Sequence, residues 1–161
     1  MAMPPDREQE IARISDAMGR LRVLIGRRVI GRRVLDRVAP MLDLSDLDVL
    51  GLVPARDGGE EVSVGDIARV LRIHPSRASR LVAELVEKGF LLRAVSQRDA
   101  RRAVLLRSDS GNRICTEIRQ MKREVIGEIV GDWPEADLAD FARAFETFIL
   151  SWEERLTPPP S

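Results

Sequence analysis

At 161 residues, with 44% hydrophobic and 32% charged side chains, the chain has the composition of a globular protein able to bury its own core. No apolar run approaches the roughly 18 residues of a transmembrane helix, and the acidic, proline-containing start lacks the apolar centre of a secretory signal, so a cytoplasmic protein without a membrane partner is expected. One cysteine, Cys115, and one histidine, His74, exclude an internal disulfide and a four-ligand His/Cys zinc shell, and no metal or cofactor is expected.

Charge sums to zero but is unevenly laid out. Residues 1–40 carry nine Arg against five acids, 41–62 one against six, 63–110 ten Lys/Arg against five, and 111–161 six against ten. A basic stretch between acidic neighbours is the footprint of a chain that meets phosphate with one face, although a solvated helix face gives the same charge pattern.

In chain order, Ile11, Ile14, Met18, Leu21 and Ile25 recur at helical spacing and predict a long first helix packed against another helix. It continues to Val38 through the echo Gly26-Arg27-Arg28-Val29 and Gly31-Arg32-Arg33-Val34, whose glycines predict a bend or a close helix crossing. Ser45 is placed to cap a short helix ended by Pro54, and Arg56 to Gly59 read as a turn. Val62 to Val64 fit either a brief strand or a helix lead-in. A two-turn helix follows over Asp66 to Ile73, with Ile67, Val70 and Leu71 on its apolar face.

His74-Pro75 breaks that pattern. A second helix then runs from Ser76 to Lys88, burying Ala78, Leu81, Val82, Leu85 and Val86, with Gly89 just past its end. Two short helices about a tight turn describe a helix-turn-helix. Phe90 to Val95 and Ala103 to Arg107 flank the polar tip Ser96 to Arg102 and read as a β-hairpin. Ser108 caps a helix that extends to Val130, and Pro134 to Leu156 form the last helix, with Leu138, Phe141, Phe145, Phe148, Ile149 and Trp152 on one side. The fold class is therefore mainly α with a small β-hairpin wing, a winged helix-turn-helix at 41–110 with a helical dimerisation region at 1–40 and 111–161.

The stretch Lys88-Gly89-Phe90-Leu91-Leu92-Arg93, then Asp99-Ala100-Arg101, then Ser108-Asp109-Ser110-Gly111 resembles the winged core of MarR-type transcriptional regulators. The order of the helices resembles theirs along nearly the whole chain. Three positions depart from the family pattern: Arg72 stands at a turn position often filled by glycine, Arg107 replaces an aliphatic residue, and Ser108 replaces threonine.

Ser76, Arg77, Ser79 and Arg80 lie at the N-terminal end of the second helix, where arginine pairs with guanine edges and small hydroxyls meet phosphates or bases. In the wing, Arg98, Arg101 and Arg102 can reach a narrow minor groove. The resemblance implies that Arg101 enters the groove and that Asp99 orients it. Double-stranded DNA is the expected partner, and the aromatic-rich terminal helices predict a homodimer built from residues 8–38 and 112–156; the resemblance further implies a repressor role and a small anionic or aromatic effector. Cys115 reads as a buried small hydrophobe, and His74 as a helix cap or phosphate contact. Arg27, Arg28, Arg32 and Arg33 fit an exposed, salt-bridged helix face, an anion pocket or a DNA approach. No catalytic motif stands out, and with one histidine and no tyrosine an enzyme is not expected. The other reading is a winged-helix protein-interaction module that does not read DNA.

Overall fold

The computed structural model describes residues 5–55 and 60–156. The expected turn at Arg56 to Gly59 lies outside the described residues. Two compact units divide the chain, Met1–Met121 and Lys122–Ser161.

The first unit opens with α1 (Pro5–Gly26) and α2 (Val29–Val38). The long first helix expected from the sequence is thus two helices, because Arg28 takes a left-handed backbone at φ 50° and ends the ladder between Gly26 and Gly31. The expected close crossing is found at Gly31, where an added Cβ would stand 3.0 Å from a Leu44 methyl. Of the apolar seam of α1, Ile11, Ile14, Leu21 and Ile25 are exposed and Met18 is half-buried.

In α3 (Leu44–Leu52) the cap is Asp43, not Ser45. Asp43 Oδ1 accepts the Asp46 N–H at 2.9 Å while Asp46 Oδ2 accepts the Asp43 N–H at 3.0 Å, a reciprocal capping box; Asp48, at the same spacing from Ser45, is paired with Arg28 instead. Val62 to Val64 satisfy both readings offered above. Val62 bridges Leu105, Ser63 caps, and Val64 begins α4 (Val64–Leu71). Ile67 and Ala68 supply the buried face of α4, whereas Val70, expected on it, is exposed.

After α5 (Pro75–Glu87) the strands β1 (Leu91–Val95) and β2 (Ala103–Arg107) pair antiparallel, Leu91 opposite Arg107 and Val95 opposite Ala103. α6 (Asp109–Val130) starts from Ser108, whose Oγ accepts the Gly111 N–H at 3.1 Å and donates to the Gly89 carbonyl at 2.6 Å. Val34, Leu50, Ile67, Val82, Leu85 and Leu91 are fully buried in one core, joined by Ile114 and Cys115 of α6. Removing such surface from water is the main force holding the unit together.

The second unit holds the end of α6 and α7 (Glu135–Leu156). Trp133 meets Phe141 edge-on at 5.4 Å between ring centroids, Phe141 stacks on Phe145 at 5.6 Å, and Phe148 tilts against Trp152. Phe141, Phe145, Ile149 and Trp152 nevertheless remain exposed. No helix among the described residues is long and apolar enough to cross a membrane.

Candidate nucleic-acid interface

The helix-turn-helix is made by two caps and a turn. Ser63 Oγ donates to Asp66 Oδ2 at 2.6 Å and accepts the Asp66 N–H at 3.3 Å, which fixes the start of α4. At the other end Arg72, at φ 53°, lets its own N–H return to Arg69 O and the Ile73 N–H to Ala68 O. α5 ends in the same way at Gly89, φ 78°, with its N–H on Val86 O and the Phe90 N–H on Leu85 O. Glycine adopts this conformation freely and arginine does not, so the turn between the two helices holds a strained residue.

His74 caps α5. Its Nδ1 accepts the Ser76 N–H at 3.3 Å and lies 2.8 Å from Ser76 Oγ, so one expected role of this histidine is realised and Ser76 is drawn into the cap. Pro75, which has no N–H to leave unpaired, occupies the first helical position. Ala78, Val82 and Leu85 are buried, and Ser76, Arg77, Ser79 and Arg80 are all exposed. Arg77 and Arg80 form no side-chain hydrogen bond or ion pair among the described residues. α5 therefore presents two free guanidinium groups near its N-terminal end.

The wing tip closes through Ser96 N–H to Arg102 O and Arg102 N–H to Asp99 O, both 2.9 Å. Asp99 Oδ1 accepts the Arg101 backbone N–H at 3.0 Å. Asp99 thus fixes the backbone of Arg101, while the two side chains form no ion pair. The guanidinium groups of Arg98 and Arg101 are unpaired among the described residues. Arg102 differs, for its Nη2 lies 2.7 Å from Asp66 Oδ2, tying the tip to the start of α4.

Two carboxylates not singled out in the sequence govern this region. Asp66 is held well below the usual carboxylate range, first by the Ser63 hydroxyl, then by the Ser63 N–H, and further by Arg69 and Arg102, against some desolvation. Glu61 is lowered chiefly by the Ser96 hydroxyl, partly opposed by desolvation, then by the Gln97 N–H and the charges of Arg98 and Arg102. The spacing Ser63-x-x-Asp66 is a readable capping-box signal; Glu61 and Ser96 lie 35 residues apart, and no local pattern joins them.

Of the arginine cluster on α2 and just before it, Arg28 pairs with Asp48 Oδ2 at 2.8 Å. Arg32 lines an open groove of about 480 Å³ together with Leu35, Asp36, Leu42, Asp43 and Leu44. Cys115 is buried, with Sγ 3.6 Å from Leu50 O.

A helix-turn-helix with a two-stranded wing, arginines exposed on both, defines a winged-helix protein. The model of the MarR family matches residues 42–102. A MarR family protein from Bacillus stearothermophilus superposes with a TM-score of 0.72 at 17% identity, over 93% of this chain and 98% of that one. Streptococcus pneumoniae FabT in complex with DNA gives 0.62 at 12% identity, over 87% and 98%, and S. aureus MepR bound to ethidium bromide gives 0.60 at 17%, over 84% and 94%. No curated protein matches the chain. The match to the MarR family model is thus confined to residues 42–102, while the chain as a whole is similar in fold to MarR-family proteins of solved structure.

Proposed function

We propose that this protein is a sequence-specific DNA-binding transcription regulator, a ligand-responsive repressor acting in the cytoplasm as a homodimer on a pseudo-palindrome with half-sites about 10 bp apart. The observation that carries this reading is α5, whose buried Ala78, Val82 and Leu85 leave Ser76, Arg77, Ser79 and Arg80 exposed at the end that enters a major groove, with Arg77 and Arg80 unpaired among the described residues. Arg98, Asp99, Arg101 and Arg102 form the second contact set, with Arg101 reaching the minor groove. Residues 41–110 are the DNA-binding domain, and 1–40 with 111–161 the dimerisation region. The exposed apolar residues of α1 and α7 support the second part, since surfaces of that kind are normally covered by a partner. Two of the similar structures, FabT in complex with DNA and MepR bound to ethidium bromide, support a DNA partner and a small aromatic effector.

The test is fluorescence anisotropy at about 0.15 M salt, comparing a duplex selected from a random pool by the purified protein with a shuffled control. A preference of about a thousandfold is expected. Arg101→Ala should weaken binding to every duplex and flatten the salt slope by about one unit. Equal binding to selected and shuffled DNA would leave a winged fold serving a protein partner instead.

A further inference from the structure

Glu61 lies outside the wing yet is wired into its tip. The Leu105 N–H donates to Val62 O at 2.8 Å, so the segment before α4 lies against β2 on the edge not used by β1. That pairing brings the Glu61 carboxylate to two donors, the Ser96 hydroxyl at 2.5 Å from Oε2 and the Gln97 N–H at 2.8 Å from Oε1. Ser96 is only 4% exposed and spends its one hydroxyl hydrogen on Glu61. Its two lone pairs then accept the N–H groups of Arg98 and Asp99, each at 3.1 Å. Asp99 in turn holds the Arg101 N–H. A continuous series of hydrogen bonds runs from Glu61 through Ser96 and Asp99 to the backbone of Arg101.

We propose that Glu61 is a positioning residue for DNA binding, which through Ser96 sets the backbone of the wing tip and hence the direction in which Arg101 leaves it. The inference rests on the DNA-binding role proposed for Arg101. A carboxylate is required for chemical reasons. Both Glu61 oxygens only accept, and both face donors; an amide would turn an NH2 group either against the Gln97 N–H or against Ser96 Oγ, whose lone pairs are already filled.

The isosteric variant Glu61→Gln separates positioning from charge, because the two predict opposite signs. Removing a negative charge near phosphates strengthens binding, whereas loosening the tip weakens it. Three measurements are made on the full chain, using the duplex selected by the wild type. Glu61→Gln should bind about five- to tenfold more weakly, the scale of a broken hydrogen bond to a charged group. In an Arg101→Ala background the same change should cost nothing further, since the residue being aimed is gone. In the free protein, amide exchange at Arg98, Asp99 and Arg101 should accelerate by about tenfold in Glu61→Gln and in Ser96→Ala, with α5 amides unchanged. Equal or tighter binding by Glu61→Gln, a loss that persists without Arg101, or unchanged tip exchange would overturn the proposal. If selection recovers no duplex, the DNA-binding reading fails and the positioning role with it; faster tip exchange in Glu61→Gln would then still establish the hydrogen-bond series itself.

Discussion

Residues 42–121 and the helices α1 and α7 handle apolar side chains in opposite ways. The first stretch closes into one core together with Val34 of α2 and Ala39 just beyond it, with Leu50, Ile67, Val82, Leu85 and Leu91 removed from solvent and α3, α4 and α5 each started by a side-chain cap. The two long helices also carry periodic apolar residues but hold no fully buried one among their described residues, and leave groups such as Ile14, at 48% exposure, and Phe145, at 44%, in solvent. Periodicity shows that a helix has an apolar face; it does not show whose surface covers that face. The winged core is packed within one chain, whereas the long helices leave apolar side chains exposed.

The contrast is broken most strongly from the compact side. Gly111 packs so closely that an added Cβ would stand 2.3 Å from the Phe90 carbonyl oxygen, a backbone atom that cannot step aside. Gly111→Ala should destabilise by about 3 kcal/mol, read as a lower urea midpoint with an unchanged slope. On the other side, Phe145→Glu should spare that core and strike association. The wild type should sediment as a dimer at micromolar concentration, and the variant's dissociation constant should rise about thirtyfold, as for an aromatic anchor in an interface. A wild-type monomer would sink the dimer and leave the exposed faces to another partner.

A smaller effect of opposite sign is expected at the turn. α4 and α5 end in one motif, the first with Arg72 and the second with Gly89. Arg72→Gly should raise stability by about 0.5 to 1 kcal/mol, and Gly89→Ala should lower it by a similar amount. Equal effects of one sign would mean that the backbone conformation is not what distinguishes them.

The smallest effect concerns acid. Asp66 is lowered in the folded chain relative to its ordinary value near 3.8, so its contribution is fully present above that value and fades as pH falls through the range below it. Between pH 5 and about 2.5, the stability of Asp66→Asn should therefore fall less steeply than that of the wild type, by denaturant midpoints at each pH. Parallel slopes would remove Asp66 from the acid response.

The winged core was legible because it is built from local signals. Pro75, Gly89 and the two apolar runs about Ser96 to Arg102 mark their own elements, and α5 and β2 begin within a residue of where those signals place them. What escaped was set by contacts distant in sequence or by a backbone choice. The break at Arg28 needs a left-handed residue, which an arginine does not announce, with Asp48 twenty positions away to hold its side chain. Asp43-x-x-Asp46 and Ser45-x-x-Asp48 are equally good capping signals by residue type, and only the structure shows that Asp46 closes the box while Asp48 pairs with Arg28. Val70 fits the helical period, but α4 has only two turns and its buried side is narrow. At the candidate site, exposure of the α5 arginines followed from period alone; the bond from Arg102 to Asp66 and the Glu61 to Ser96 contact cross about 35 residues and leave no local trace.

Cys115 offers a built-in clock. It is the chain's one thiol, buried on α6 beside the Leu50 carbonyl of α3. A colourless disulfide reagent that releases a chromophore on reaction can reach it only when the seam between those helices opens. The rate of colour development, with and without DNA, therefore reports how often that seam breathes, with no label introduced and no second thiol to correct for.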